Sequence, residues 1–151
     1  MKLKSFSKIN LSLRVKKKTS KSLHNIESFS VLINLFDEIN FKKNNKKIDK
    51  VIFSGKFKNN ISKKNNTVLD TLALLRKLGF VNSFYKVTVK KNIPVFSGLG
   101  GGTGNSAALI KYFIKKKLTN GIICKLEKKI GTDLRIFLNS QSFQKNLRQV
   151  F

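Results

Sequence analysis

Tryptophan is absent from the 151 residues, and cysteine, proline, methionine and histidine occur once each. With Cys124 alone, an internal disulfide is excluded, which fits a reducing cytoplasm and argues against a small secreted scaffold. The lone His24 has no cluster of cysteines or acids around it, so no metal site is expected. The N-terminal stretch Met1 to Phe6 contains no apolar run long enough for a signal peptide or a membrane span. The sequence therefore predicts a cytoplasmic protein without a membrane partner. Acids are also scarce: seven Asp and Glu stand against 32 Lys and Arg, for a net charge of +25.

Such a balance ordinarily points to nucleic acid or an anionic membrane. Two details weaken that reading. Only Arg14, Arg76, Arg135 and Arg148 are arginine, the residue better suited to bidentate phosphate and base contacts. The lysines also travel with Asn, Ile and Phe, all encoded by AT-rich codons, as in the run from Lys42 to Lys47. Most of the charge is thus read as a solvated surface, with nucleic acid the minority partner. Anionic ligands such as ATP should still be attracted.

What the chain does have is 40% hydrophobic content and 13 phenylalanines, sufficient for one packed domain over 1–151. Residues 2–15 read as a strand or two. Residues 26–41 read as two strands joined by a turn at Asp37-Glu38. Another strand starts at Val51 and resumes near Phe57. Asn66 or Thr67 caps a helix reaching about Leu78, with Val68, Leu69, Leu72, Leu75 and Leu78 at helical spacing and Gly79 as its stop. Phe84 to Val89 alternates as a strand. Helices are predicted over about Asn105–Lys117 and Asn120–Ile130, the latter stopped by Gly131. A short apolar piece, Leu134 to Leu138, follows. Strands come first and helices later, which is an α+β pattern.

Five of the nine glycines lie between Gly98 and Gly104, in Pro94-Val-Phe-Ser-Gly-Leu-Gly-Gly-Gly-Thr-Gly-Asn-Ser-Ala-Ala108. Bare backbone before a small-residue helix makes a phosphate cradle, because main-chain N–H groups and the helix dipole both favour an anion. No lysine follows the last glycine, so this is not a Walker A loop. The sixth position of a dinucleotide fingerprint is Thr103, and no early βαβ unit is predicted around it. A phosphoryl-transfer enzyme also needs an acceptor-only group near the attacking hydroxyl and a cation for the transferred charge. Asp133, in Gly131-Thr132-Asp133, and Lys8, in an otherwise apolar strand with Asn10 on the same face, can supply these if the fold brings them together. Taken alone, Asp133 reads as a turn or cap aspartate and Lys8 as a solvated strand lysine.

Taken together, Lys8-Ile9-Asn10, Leu23-His24, the loop from Pro94 to Ala107 and Gly131-Thr132-Asp133 resemble, in order and spacing, the GHMP small-molecule kinases. They resemble most closely the branch that phosphorylates a cytidine diphosphate-linked methylerythritol in non-mevalonate isoprenoid synthesis. The resemblance implies a ribosomal protein S5 domain 2-like fold and γ-phosphoryl transfer from ATP, accompanied by Mg²⁺, to a substrate hydroxyl. It makes Asp133 the general base and Lys8 the group that orients the hydroxyl and stabilises charge. Pro94, Gly98, Leu99, Gly100, Gly101, Gly102 and Thr103 become the ATP loop, His24 the cytosine contact, and Asn10 a support of the substrate site. Three positions depart from the pattern: Leu23 replaces a tyrosine, Gly104 replaces a serine that Thr103 or Ser106 would have to replace in turn, and Arg135 stands where proline is common. The resemblance also implies a C-terminal ferredoxin-like domain in the family, so this chain is expected to correspond to the N-terminal domain only. Another GHMP kinase, a basic RNA-binding module and an inactive fragment remain the alternative readings.

Overall fold

In the computed structural model, residues 1–18, 24–59, 61–146 and 149–150 are described. A long antiparallel pair, β1 (Lys2–Lys18) and β2 (His24–Asn44), forms the spine of one sheet. One edge of β2 carries β1. The other is shared by β4 (Phe84–Lys90), paired with residues 38–44, and β5 (Gln141–Asn146), paired with residues 28–31. Outside β4 lies β3 (Lys50–Ser54), parallel to it, and β6 (Gln149–Val150) pairs with β5. The helices are α1 (Thr67–Lys77), α2 (Gly101–Ile114), α3 (Asn120–Ile130) and α4 (Leu134–Leu138).

Period-two alternation decides which sheet face is covered. Ile39 and Phe41 of β2, Val51 of β3, and Val87 and Val89 of β4 are buried together, beneath Val68 and Leu72 of α1 and Leu109 of α2. A second cluster joins Leu75, Ile110, Ile114, Leu126, Ile130, Leu134 and Phe137, so α3 and α4 are held through α1 and α2. Each such aliphatic side chain contributes about 1.5–3 kcal/mol by leaving water. The Asn66 side chain caps α1 by accepting from Leu69 N at 3.1 Å, and Gly79 follows its end at φ 79°. Among the described residues, no helix is long and apolar enough to cross a membrane.

The α+β class, α1, β4 and α3 agree with the sequence reading, while five details differ. The third strand does not resume near Phe57, since β3 ends at Ser54 and residues 55–57 turn. β2 runs unbroken through Asp37-Glu38, because Asp37 is not a turn residue but a fully buried core one. The irregularity falls earlier, where Phe6 pairs with Phe36 but Ser7 with Ile33. Helix α2 starts four residues before the predicted Asn105. The glycines that lower helix propensity occupy its first turn, where the amides lack partners in any case. A parallel β3–α1–β4 unit does precede the glycine loop. Finally, β5 is a strand despite its polar sequence, with Ser142 and Gln144 buried.

Candidate active site

The loop after β4 turns into α2 at Gly100, which sits at φ 70° as the N-cap. A Cβ there would lie 2.4 Å from Phe137 Cζ, so neither the conformation nor the space admits a side chain. The first backbone bond of the helix runs from Gly104 N to Gly100 O, 2.8 Å. The amides of Gly101, Gly102 and Thr103 therefore have no partner one turn back and open the helix as donors. Gly104 has another reason to be glycine. A Cβ there would meet Phe6 O and Ser5 Oγ at 3.0 Å, so α2 rests directly on the β1 backbone. That close approach explains why the position holds no serine. Ser106 does not replace the missing hydroxyl, since it is buried and donates to Thr67 O (3.2 Å) and Gly102 O (3.3 Å).

These elements enclose a pocket of about 540 Å³ between the start of α1 and the glycine loop. Pro94, Gly98, Gly100, Gly101, Gly102 and Thr103 line one side, and Phe53, Ile61, Asn66 and Thr67 the other. Leu99 does not line it. Its carbonyl instead accepts from Lys8 N at 3.1 Å, fastening the loop to β1. Asp133, just ahead of α4, closes one end.

Lys8 and Asp133, 125 positions apart, meet there. Lys8 Nζ lies 3.4 Å from Asp133 Oδ2, with the lysine side chain 8% exposed and the aspartate 37%. Lys8 Nζ also donates to Asn10 Oδ1 at 3.1 Å, and Ser30 Oγ donates to the same oxygen at 2.8 Å. Ser30 is in turn 3.4 Å from Ser28 Oγ. A polar track thus leads from the ammonium along the β1–β2 hairpin. His24 opens β2 beyond that track, its Cα paired with Lys18, while its side chain and all of Leu23 fall outside the described residues.

Two polar groups on the pocket wall escape the sequence reading. Lys91 is only 3% exposed and forms an ion pair with the fully buried Asp37. Asp37 Oδ1 also accepts from Asn92 N (2.8 Å) and Ile93 N (2.9 Å), so the carboxylate is fixed at both oxygens. Lys91 Nζ would stand 3.1 Å from a Cβ on Gly101, which places this cation under the opening of α2. Asn105, 2% exposed, lines the same pocket with Oδ1 unpartnered. The strand period carried a signal for Lys91. In Tyr85, Val87, Val89 and Lys91 it falls in the core-facing phase, as Asp37 does with Ile39 and Phe41.

A helix opening with free amides, two largely buried lysines and one part-exposed carboxylate are thus gathered around one pocket. In comparison with known proteins, residues 66–140 match the family described as GHMP kinases N terminal domain. The matched segment runs from the start of α1 to the end of α4. The chain's similarity extends past those limits. A 4-diphosphocytidyl-2-C-methyl-D-erythritol kinase of Pelagibacter ubique is 42% identical over 137 residues, covering 88% of this chain and 48% of the relative. The kinase so named in Ureaplasma parvum is 36% identical, with 92% and 53% covered. Among solved structures, a 4-(cytidine 5'-diphospho)-2C-methyl-D-erythritol kinase superposes with a TM-score of 0.73 at 18% identity, over 99% of this chain and 53% of that one. A homoserine kinase from Cytophaga hutchinsonii gives 0.64 at 17%, over 94% and 47%. These last two likenesses establish the fold. The chain spans about half the length of the curated relatives it matches.

Proposed function

We propose that this GHMP kinase domain, over 1–151, binds ATP and transfers its γ-phosphoryl group to a hydroxyl of 4-diphosphocytidyl-2-C-methyl-D-erythritol, in cytoplasmic isoprenoid synthesis. One observation carries the reading: the Lys8 ammonium and the Asp133 carboxylate converge at the end of a pocket floored by the start of α2. The relatives' names supply the substrate.

In this reading the amides of Gly101, Gly102 and Thr103 receive the phosphates, and Lys91 adds positive charge beneath them. Asp133 takes the proton as the substrate oxygen attacks the γ-phosphorus, and ADP leaves. Lys8 orients the hydroxyl and, through Asn10, is itself held in place. His24 reads the cytosine from the hairpin. The Thr103 hydroxyl and the unpartnered Asn105 oxygen on the pocket wall would be hard oxygen ligands for Mg²⁺. Among the described residues no group of three His, Cys, Asp or Glu could cage a metal, so the ion would arrive with ATP and neutralise phosphate charge. The ferredoxin-like half of the family would complete the acceptor side.

The test has two parts. Calorimetric titration of the chain with Mg²⁺-ATP should give saturable binding, and its absence would overturn the cradle. Transfer of labelled phosphate is then compared on the cytidylyl substrate, homoserine and mevalonate, with the chain alone and with the C-terminal half of a relative added. Label on the cytidylyl compound only is the expected result, and label on another acceptor reassigns the substrate. Asp133→Asn should keep ATP binding while transfer falls by roughly 10²–10⁴. Undiminished transfer would remove Asp133 from the base role.

A further inference from the structure

The sheet face turned away from the helices takes no part in that site. Register pairs place side chains on it in rows, because directly opposed residues share a face. Lys50, Lys86 and Lys42 stand side by side on β3, β4 and β2. Two residues along the strands, the row is Ile52, Thr88, Asn40 and Lys2. Next come Ser54, Lys90, Glu38 and Lys4, and beyond Lys4 and Glu38 the pair Phe6 and Phe36. Six lysines, all exposed, thus face one carboxylate, Glu38, which is engaged by Lys90 at 3.0 Å.

The row of three is the telling feature. Like charges directly opposed on neighbouring strands destabilise a sheet, and here two such pairs adjoin across strands about 4.8 Å apart. Codon bias enriches lysine everywhere, but it gives no reason for lysines to stand in register against one another. The spread of lysine along the chain made nucleic acid a minority reading, whereas the register gathers the charge into a grid about 7 Å from row to row. Aromatic rings border it. Phe6 is 37% exposed and meets Phe36 edge-on with centroids 5.6 Å apart, and Lys4 Nζ sits 4.4 Å over the Phe36 ring.

We propose that this open sheet face is a binding surface for single-stranded nucleic acid, with phosphates on the lysine rows and a base stacked at Phe6 and Phe36. Charge complementarity selects a polyanion. A flat strand-built face with rings beside the cations suits a single strand, whose bases are free to stack. A membrane surface would call for protruding aliphatics among the lysines, and only the half-buried Ile52 is there.

The test is fluorescence anisotropy of a labelled oligouridine of about 20 nucleotides, titrated with the full chain between roughly 50 and 200 mM salt. The combined Lys42→Gln, Lys50→Gln and Lys86→Gln variant should bind at least about tenfold more weakly, with the log–log salt slope shallower by about 2. A control of equal charge change on the helices, Lys77→Gln, Lys125→Gln and Lys128→Gln, should stay within about threefold. Phe6→Ala should weaken binding while leaving the slope unchanged, and excess Mg²⁺-ATP should not displace the strand. Because the sheet substitutions remove repulsion, that variant should melt no lower than the parent, which separates lost binding from lost fold. Equal losses in both triple variants would show attraction to overall charge and overturn the proposal. So would binding confined to phosphatidylserine vesicles, or no binding at all.

Discussion

Gly100 and Gly102 lie two positions apart and would fail in different ways if given a side chain. At Gly100 a methyl group meets the Phe137 ring at 2.4 Å with φ at 70°. Gly100→Ala should cost about 2–4 kcal/mol in denaturant unfolding, from positive-φ strain and overpacking together. At Gly102 the nearest atom to an added Cβ is Thr67 Oγ1, at 3.5 Å, which is ordinary contact. Gly102→Ala should leave stability unchanged or raise it by up to about 1 kcal/mol. Yet the methyl group would stand at the pocket wall where the proposed reading puts phosphate, so ATP affinity should fall at least tenfold, or about 1.4 kcal/mol. Calorimetry on the two variants separates the roles. A Gly102→Ala protein that binds ATP as the parent does would mean the amides are not the cradle.

At the scale of elements, Asp133 depends on how α4 is held. Arg135, where the family commonly has proline, places Nε 2.9 Å from Glu127 Oε1 of α3, and both side chains are 15% exposed. Burial holds the Glu127 carboxyl above its ordinary value of 4.5, and the Arg135 charge opposes that rise. Arg135→Ala leaves the carboxylate without its cation and should cost about 1–3 kcal/mol at neutral pH. The sign with pH follows from the raised value. The penalty falls on the charged form, so it should shrink as pH drops through the Glu127 pKa and the group becomes neutral. Melting the variant beside the parent from neutral pH to below 4.5 checks this, and a pH-independent gap would exclude Glu127 as the cause. Elements bounded by local signals were legible in the sequence: α1 by its Asn66 cap and spacing, β4 by alternation, α3 by its Gly131 stop. The continuity of β2 was not, because the burial of Asp37 is explained by partners far along the chain, Lys91 and the amides of Asn92 and Ile93. Nor was β5, whose Ser142 and Gln144 are buried by tertiary packing and carry no apolar signal. In the site, Lys8, Asn10 and the glycine loop were legible from motif order. Lys91 carried only its core-facing strand phase, which does not say what a buried lysine is for, and Asn105, an asparagine in a helix, acquires meaning only from the pocket wall.

Across the whole molecule, a charge of +25 does two things that pull apart as salt is added. It repels itself, which opposes compaction, and it raises the local concentration of anions around the pocket. The seven acids are already counted in that net charge, and several sit in local pairs, as Asp37 does with Lys91 and Asp49 with Arg76 at 3.0 Å, leaving most lysines without a nearby acid. Screening lengths fall from about 30 Å at 0.01 M to about 8 Å at 0.15 M, less than the distance across the lysine-bearing sheet face. Self-repulsion should therefore relax over that range. If it relaxes by about 1 kcal/mol, the melting temperature should climb by about 2–4 °C. Over the same range Mg²⁺-ATP, docked as proposed, should bind more weakly without being lost, because screening removes the long-range attraction but not short-range donation from the α2 amides. Calorimetric scans and ATP titrations along one salt series test both slopes. A melting temperature that falls with salt would show that ion pairs such as Lys90–Glu38 outweigh the repulsion. In that case the lysines form a balanced lattice, and the excess positive charge is not what limits the stability of the fold.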